Sequence, residues 1–252
     1  MNIAIAAGAP LISLNDGAGG RMQEGVTALA GFGWIFTRNT KSSGVIPQIS
    51  VMLGPCGSGA AYAPALNDFV FMVRETSQMF ITGPDVVKAV TGEQVSQDGL
   101  GRADVYAELS GVSHFTYGDE QTCLEDVRYL LSPLPQDNWE MPPGAVTVDP
   151  ADRRCDDLFE LVPTEGSQPC DMRAVLGWII DEGEYMELHE RRGTNVIIAL
   201  AGVLDISASE KAARFVYQPP RRQAAVRASS HRSVTLCSHG LPWSTGVRRR
   251  VG

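Results

Sequence analysis

Gly54-Pro55-Cys56-Gly57-Ser58-Gly59-Ala60-Ala61-Tyr62 decides how this chain is read. Before it stands an apolar run, Gln48-Ile49-Ser50-Val51-Met52-Leu53, which has the length and character of a buried strand. After it, Ala60 to Leu66 can open a helix. A glycine-rich turn between strand and helix leaves backbone N–H groups unpaired and pointing at one spot. Such donors suit an oxyanion that forms during a reaction. A second turn of the same build lies upstream. There Leu11-Ile12-Ser13-Leu14 reads as the strand, Asn15-Asp16-Gly17-Ala18-Gly19-Gly20 as the turn and Arg21 onward as the helix.

Better-known glycine motifs do not fit. A dinucleotide fingerprint needs G-x-G-x-x-G, but Met22 and Tyr62 stand where the two last glycines belong. A phosphate loop needs a lysine that neither turn has. A nucleophile elbow needs G-x-S-x-G, and Cys56 and Ala60 occupy its outer positions around Ser58. On pattern alone, two purely structural turns remain an equal reading.

The 252 residues suffice for one large domain or two small ones, and 44% hydrophobic with 20% charged residues is the profile of a soluble globular protein. Five cysteines, at 56, 123, 155, 170 and 237, include no C-x-x-C pair, so neither a zinc ribbon nor a disulfide framework is indicated. A reduced, cytoplasmic setting is expected. The first basic residue is Arg21, which argues against a signal peptide. No apolar stretch is long enough to span a bilayer, so no membrane partner is expected. From Tyr217 to Gly252 there are seven arginines and no acid. Such a tail could be a nucleic-acid arm, but it lacks lysine and interleaved aromatics, and no nucleic-acid partner is expected.

Met22, Val26, Leu29, Gly33 and Phe36 fall on one helical face, which with the flanking strands makes a βαβ unit. Phe69–Val73 and Met79–Thr82 read as short strands, and Leu124, Val127, Leu130 and Leu131 mark a helix ended by Pro133 and Pro135. Residues 134–170, rich in Pro, Asp and Gly, read as a connection. Asp171 caps a helix that ends near Gly183, and Asn195–Ala201 is a buried strand. Ser207-Ala208-Ser209-Glu210 fits a capping box for a helix running to Val216.

Longer segments narrow the choice. Asn15 to Gly25, Ser43 to Ser50, Gly54-Pro55-Cys56, Phe80 to Lys88 and Ser110 to His114 together resemble the carboxyltransferase (beta) subunit of biotin-dependent acyl-CoA carboxylases, of the propionyl-CoA carboxylase type. The resemblance runs to about Val216. It implies an α/β fold, a crotonase-like (ClpP/crotonase) spiral of ββα units, here incomplete. It divides the chain into a first carboxyltransferase half lacking its start at 1–133, a connection at 134–170, the opening of a second half at 171–216 and an arginine-rich tail at 217–252. The tail departs from the family so abruptly that it reads as coding sequence out of frame, against the alternative of a lineage-specific disordered tail.

The family moves CO2 from carboxybiotin to the α carbon of an acyl-CoA, through enolates held by backbone donors. The resemblance implies donors at Gly19 and Gly20 in the upstream turn and at Ser58 and Gly59 downstream. Arg21, Gly57 and Ala60 are then candidates to contact acyl-CoA. Ser58 stands where the family has a glycine, and Gly20 where it has alanine. Arg21 also pairs with Glu24 in a purely structural reading, and Cys56 and His114 read as packing residues. Biotin would arrive on a separate carrier, with a biotin carboxylase and carrier subunit as partners and a homo-oligomer as the family's assembly. No metal is implied. Because the biotin site belongs to the family's second half, the chain alone is expected to be inactive. Two alternatives stay open: a non-catalytic truncated remnant, or a related acyl-CoA decarboxylase or transcarboxylase subunit. Met52, Phe69, Phe71 and Met79 are expected inside, and the helix from Gly25 to Phe36 is expected to keep an uncovered face.

Overall fold

In the computed structural model the described residues are 1–203, except 18, 145, 146, 151, 166 and 167, together with the backbone of 213–217, 224–229 and 233–238. The chain opens with α1 (Asn2–Ala7), closed by Gly8 in the left-handed region. Then β1 (Leu11–Gly17) leads through a 3-10 turn, Met22–Glu24, into α2 (Val26–Ser42) and β2 (Gln48–Gly57). α3 (Gly59–Ala65), β3 (Phe69–Val73), β4 (Gln78–Phe80), α4 (Pro84–Thr91) and α5 (Gln97–Gly101) follow. A π-helical turn, Val105–Ser110, precedes β5 (Phe115–Tyr117) and α6 (Glu120–Leu131).

These strands make one parallel sheet in the order β1-β2-β3-β5, with β4 paired to the far end of β2. Parallel strands place all their C-terminal ends, and the turns that leave them, at one edge. β2 and β3 carry buried apolar side chains on both faces, as a sheet covered on both sides requires, with Gln48 and Ser50 the buried polar residues of β2. On one face Ile49, Val51, Phe71, Val73 and Phe115 pack against Cys123, Val127 and Leu130 of α6. On the other, Met52, Cys56, Val70, Met72 and Met79 pack with Ala61 of α3 and Ala103, with Tyr106 of the π-helical turn alongside. Met52, Phe71 and Met79 are fully buried, as expected, whereas Phe69 is half-buried.

The connection contains α7 (Leu158–Leu161). α8 (Met172–Ile179), capped by the Asp171 carboxylate accepting from the Arg173 N–H at 3.0 Å, ends at Ile179, short of Gly183. β6 (Tyr185–Leu188) and β7 (Ile197–Ala201) begin a second sheet, and Leu176 and Ile180 pack on Ile197 and Ala199. Met186 and Leu188 of β6 are buried in the first sheet's α6-side core, so the two sheets share apolar interior.

Sequence and structure part company at the end of the second sheet. The helix expected to reach Val216 is a strand, β8 (Ala213–Tyr217), antiparallel to β7. Arg214-Phe215-Val216-Tyr217 is a β-branched and aromatic run, and the open edge of β7 gives it hydrogen-bond partners. The capping box at 207–210 lies outside the described residues. β9 (Ala224–Ser229) and β10 (Ser233–Ser238) pair antiparallel, and β10 lies parallel to β8. Two strands, β9 and β10, therefore fall within the arginine-rich tail. No helix among the described residues is long and apolar enough to cross a membrane.

α2 buries only Asn39 and Ser42, and leaves Val26, Leu29, Trp34 and Ile35 exposed. Ile12 and Leu14 of β1 are exposed beside the sheet's open edge. Apolar surface grouped in this way drives association. Sedimentation at micromolar concentration is expected to show self-association, and a single monodisperse monomer would overturn this.

Candidate active site at the two glycine turns

β1 and β2 run in register from Leu11↔Gln48 to Asn15↔Met52, and then the ladder slips so that Gly17 faces Cys56. β2 bows outward over Leu53–Pro55, and the Asp16 carboxylate fills the space where a Gly54 side chain would stand. The slip brings the two turns into backbone contact. A Cβ on Gly19 (φ +104°) would lie 2.5 Å from the Gly57 carbonyl oxygen.

The phenyl ring of Phe32, from α2, closes over both turns. A Cβ on Gly20 would be 2.8 Å from that ring, and one on Gly59 2.7 Å. Phe32 stacks on Phe36, and Phe36 meets Tyr62 at 5.9 Å, so an aromatic row runs from the turns along α2 and α3. The sequence pattern placed Phe36 on the helix face but passed over Phe32, whose role depends on where α2 lies against the turns.

Each turn ends in the same backbone bend. Gly25 before α2 has φ 53°, ψ −128°, and Ser58 before α3 has φ 55°, ψ −133°. Glycine adopts this region freely; a serine there is strained. Ser58 is held by its own N–H, which donates to the Phe80 carbonyl at 2.9 Å. That donor is therefore committed to the fold, which corrects its assignment as a free oxyanion donor. The first-turn N–H groups of α3, from Gly59 and Ala60, are those with no acceptor in their own helix.

Around these turns the other candidates take simple positions. Arg21 is exposed and lies 3.8 Å from Glu24, a pair weak enough to leave the guanidinium available. Cys56 is buried, and burial pushes its thiol up to about 11, so at neutral pH it is a protonated wall residue. His114 stands elsewhere. Its Nδ1 accepts from the Val70 N–H at 3.1 Å, and its ring lies 4.4 Å from that of His189. Both line a cleft of about 740 Å3 between β5 and β6 that includes none of Gly19, Gly20, Ser58 or Gly59. The arginines of that cleft are already paired: Arg173 with Glu187, Arg74 with Asp104, and Arg191 with Asp104 and Glu108. The cleft is thus lined by arginines that already have carboxylate partners. Among the described residues no cluster of three or more His, Cys, Asp or Glu could hold a metal ion.

The family described as the carboxyl transferase domain matches residues 1–223. The chain is 49% identical over 234 residues to the propionyl-CoA carboxylase carboxyltransferase subunit of Haloferax mediterranei, covering 86% of this chain and 45% of that one. It is 45% identical over 232 residues to the methylmalonyl-CoA decarboxylase subunit alpha of Veillonella parvula, covering 85% of this chain and 46% of that one. Among solved structures, a transcarboxylase 12S crystal structure with hydrolysed methylmalonyl-coenzyme A bound superposes with a TM-score of 0.80 at 37% identity, over 87% of this chain and 42% of that one. The chain belongs to the carboxyl transferase domain family, and its fold is crotonase-like α/β. It spans about half the length of the curated relatives it matches.

Proposed function

We propose that this chain supplies one acyl-CoA half-site of a biotin-dependent carboxyltransferase acting on propionyl-CoA or a close relative. The observation that carries the reading is the contact of Gly19 with the Gly57 carbonyl, which gathers two glycine turns at one end of a parallel sheet. Loss of the α proton from a thioester, or loss of CO2 from its carboxylated form, leaves negative charge on the thioester oxygen. Preorganised N–H donors stabilise that charge, each worth about 100-fold or more in rate. Gly59 and Ala60 supply those donors, with Gly19 and Gly20 across from them. Phe32 keeps water from the turns, and Arg21 meets the CoA phosphates at the exposed rim. The thiol of Cys56, buried and pushed up to about 11, stays protonated and serves as a packing residue.

An anionic oxygen fits these backbone donors. Carboxybiotin, when brought by a separate carrier and its biotin carboxylase, supplies the CO2, but no described residue is assigned to it. In the full assembly a second half, from a homo-oligomeric partner, would complete the site. The relatives include a carboxylase and a decarboxylase subunit at similar identity. One enolate site serves both directions, so decarboxylation remains the second reading.

Purified chain is expected to bind propionyl-CoA with a dissociation constant below about 1 mM. It is expected to show no carboxylation even with biotin carboxylase and biotinylated carrier added. Calorimetric titration and a 14C-bicarbonate assay check the two halves. Measurable turnover would overturn the half-site reading, and absence of binding would overturn the acyl-CoA reading.

A further inference from the structure

Arg191 and Arg192 follow β6, yet both side chains cross to the π-helical turn Val105–Ser110. Arg191 pairs with the carboxylates of Asp104 and Glu108. Arg192 donates to the carbonyls of Glu108, at 3.1 Å, and of Leu109. These carbonyls lie at the end of the turn, where a helical segment has no acceptor use of its own. Gly111, at φ +73°, leaves room for the Arg192 stem, which occupies the place of a side chain there. Two arginines from the β6–β7 connection thus clamp the turn that precedes β5.

The clamped turn sits against the candidate site. Tyr106 packs in the cluster that holds Cys56, Ala60, Ala61 and Met79. Gly101, just before the turn, presses on the Met79 carbonyl, where a Cβ would stand 2.7 Å away. Met79 lies in β4, and the next residue, Phe80, takes the Ser58 N–H. The path from Arg192 to Ser58 and Gly59 is therefore a short run of packed side chains and backbone. Single π-type turns within helical segments often mark positions of this kind.

We infer that Arg191 and Arg192 are positioning residues. By holding the π-helical turn they fix β4, and through the Phe80 carbonyl they hold Ser58 in its strained bend and so aim the Gly59 and Ala60 donors. The role assigned to those donors rests on the proposed function; the mechanical link does not.

Hydrogen exchange on the full chain separates the two. In an Arg191→Ala, Arg192→Met variant, peptides covering 57–61 and 78–81 should exchange about tenfold faster, while 49–53 and 70–73 keep their native rates. Arg192→Lys, which keeps the charge and a donor for the carbonyls, should restore most of the protection. Propionyl-CoA affinity should weaken about tenfold in the double variant and recover with the lysine. If the double variant does not fold, native chain at rising NaCl serves instead: the half-exposed Arg191 pairs weaken with screening, and the same peptides should respond selectively. Unchanged exchange at 57–61, or acceleration spread equally over 49–53, would overturn the link. Selective exchange in a chain that never binds propionyl-CoA would support the link and remove the acyl-CoA reading.

Discussion

Gly19→Ala is expected to lower stability by about 2–4 kcal/mol and to abolish acyl-CoA binding. Two costs combine at this residue. Its φ of +104° is a conformation that an L side chain rarely adopts. Its new Cβ would meet the Gly57 carbonyl oxygen at 2.5 Å and the carbonyl carbon at 3.2 Å. Both obstacles are backbone, so no rotamer change can relieve the clash. The turns must separate, and the separation acts directly on the residues that precede Gly59. Gly17→Ala, two residues away, is the control: nothing lies within 4 Å of its Cβ, and its φ is not in the positive region. That variant is expected to stay within about 1 kcal/mol of the native chain. Urea unfolding and propionyl-CoA titration of both variants decide the matter, and a Gly19→Ala chain as stable as Gly17→Ala would sink the idea.

Gln48→Ala is expected to cost about 2–4 kcal/mol. Gln48 opens β2 and is fully buried. Its Nε2 donates to the Asn39 carbonyl at 3.0 Å, and its Oε1 accepts from Asn39 Nδ2 at 3.3 Å. Its backbone N–H donates to the Asp68 carboxylate at 2.8 Å. Asn39 Nδ2 also reaches Asn67, whose own Nδ2 donates to the Ser50 hydroxyl at 2.7 Å, and Ser50 meets Ser13 at 3.2 Å. This polar group ties the end of α2 to β1, β2 and the residues before β3. Truncating Gln48 removes two buried hydrogen bonds to Asn39, whose Nδ2 keeps Asn67 and whose carbonyl keeps the Ser43 N–H, and opens a cavity beside them. Chemical denaturation measures the cost. A loss under about 1 kcal/mol would show that the group is not the coupling it is taken to be.

The long apolar runs that became β2 and β3 were legible because a doubly covered strand needs little else. α6 was legible from its spacing and the prolines that follow it, and α8 from its Asp171 cap. What escaped was short or decided by neighbours. β5 is three residues long, and β6, Tyr185–Leu188, contains a glutamate, so neither stands out as a run. The π-helical turn has no periodic signature over six residues. Arg214 to Tyr217 follows a sequence that fits a helix start, and the edge of β7 overrides that local preference. At the site, the departure at Ser58 was visible as a missing glycine. Its consequence was not, because the Phe80 carbonyl reaches Ser58 only once β4 lies beside the far end of β2. Phe32 was hidden for the same reason: a helix pattern shows which residues share a face, not which backbone that face will touch.

The all-parallel order of the first sheet also sets a tempo. Leu11 pairs with Gln48 and Phe71 with Phe115, so each ladder closes only after a long intervening segment has been gathered in. Loop closure of that kind is paid before any contact repays it, and folding rates fall as such separations grow. On a ribosome β1 must wait, unpaired, until the whole of α2 and the start of β2 have emerged. During that interval Leu11, Ile12 and Leu14 are an open strand available to any other chain, and a chaperone that holds this strand until β2 emerges is expected to raise the yield of native protein.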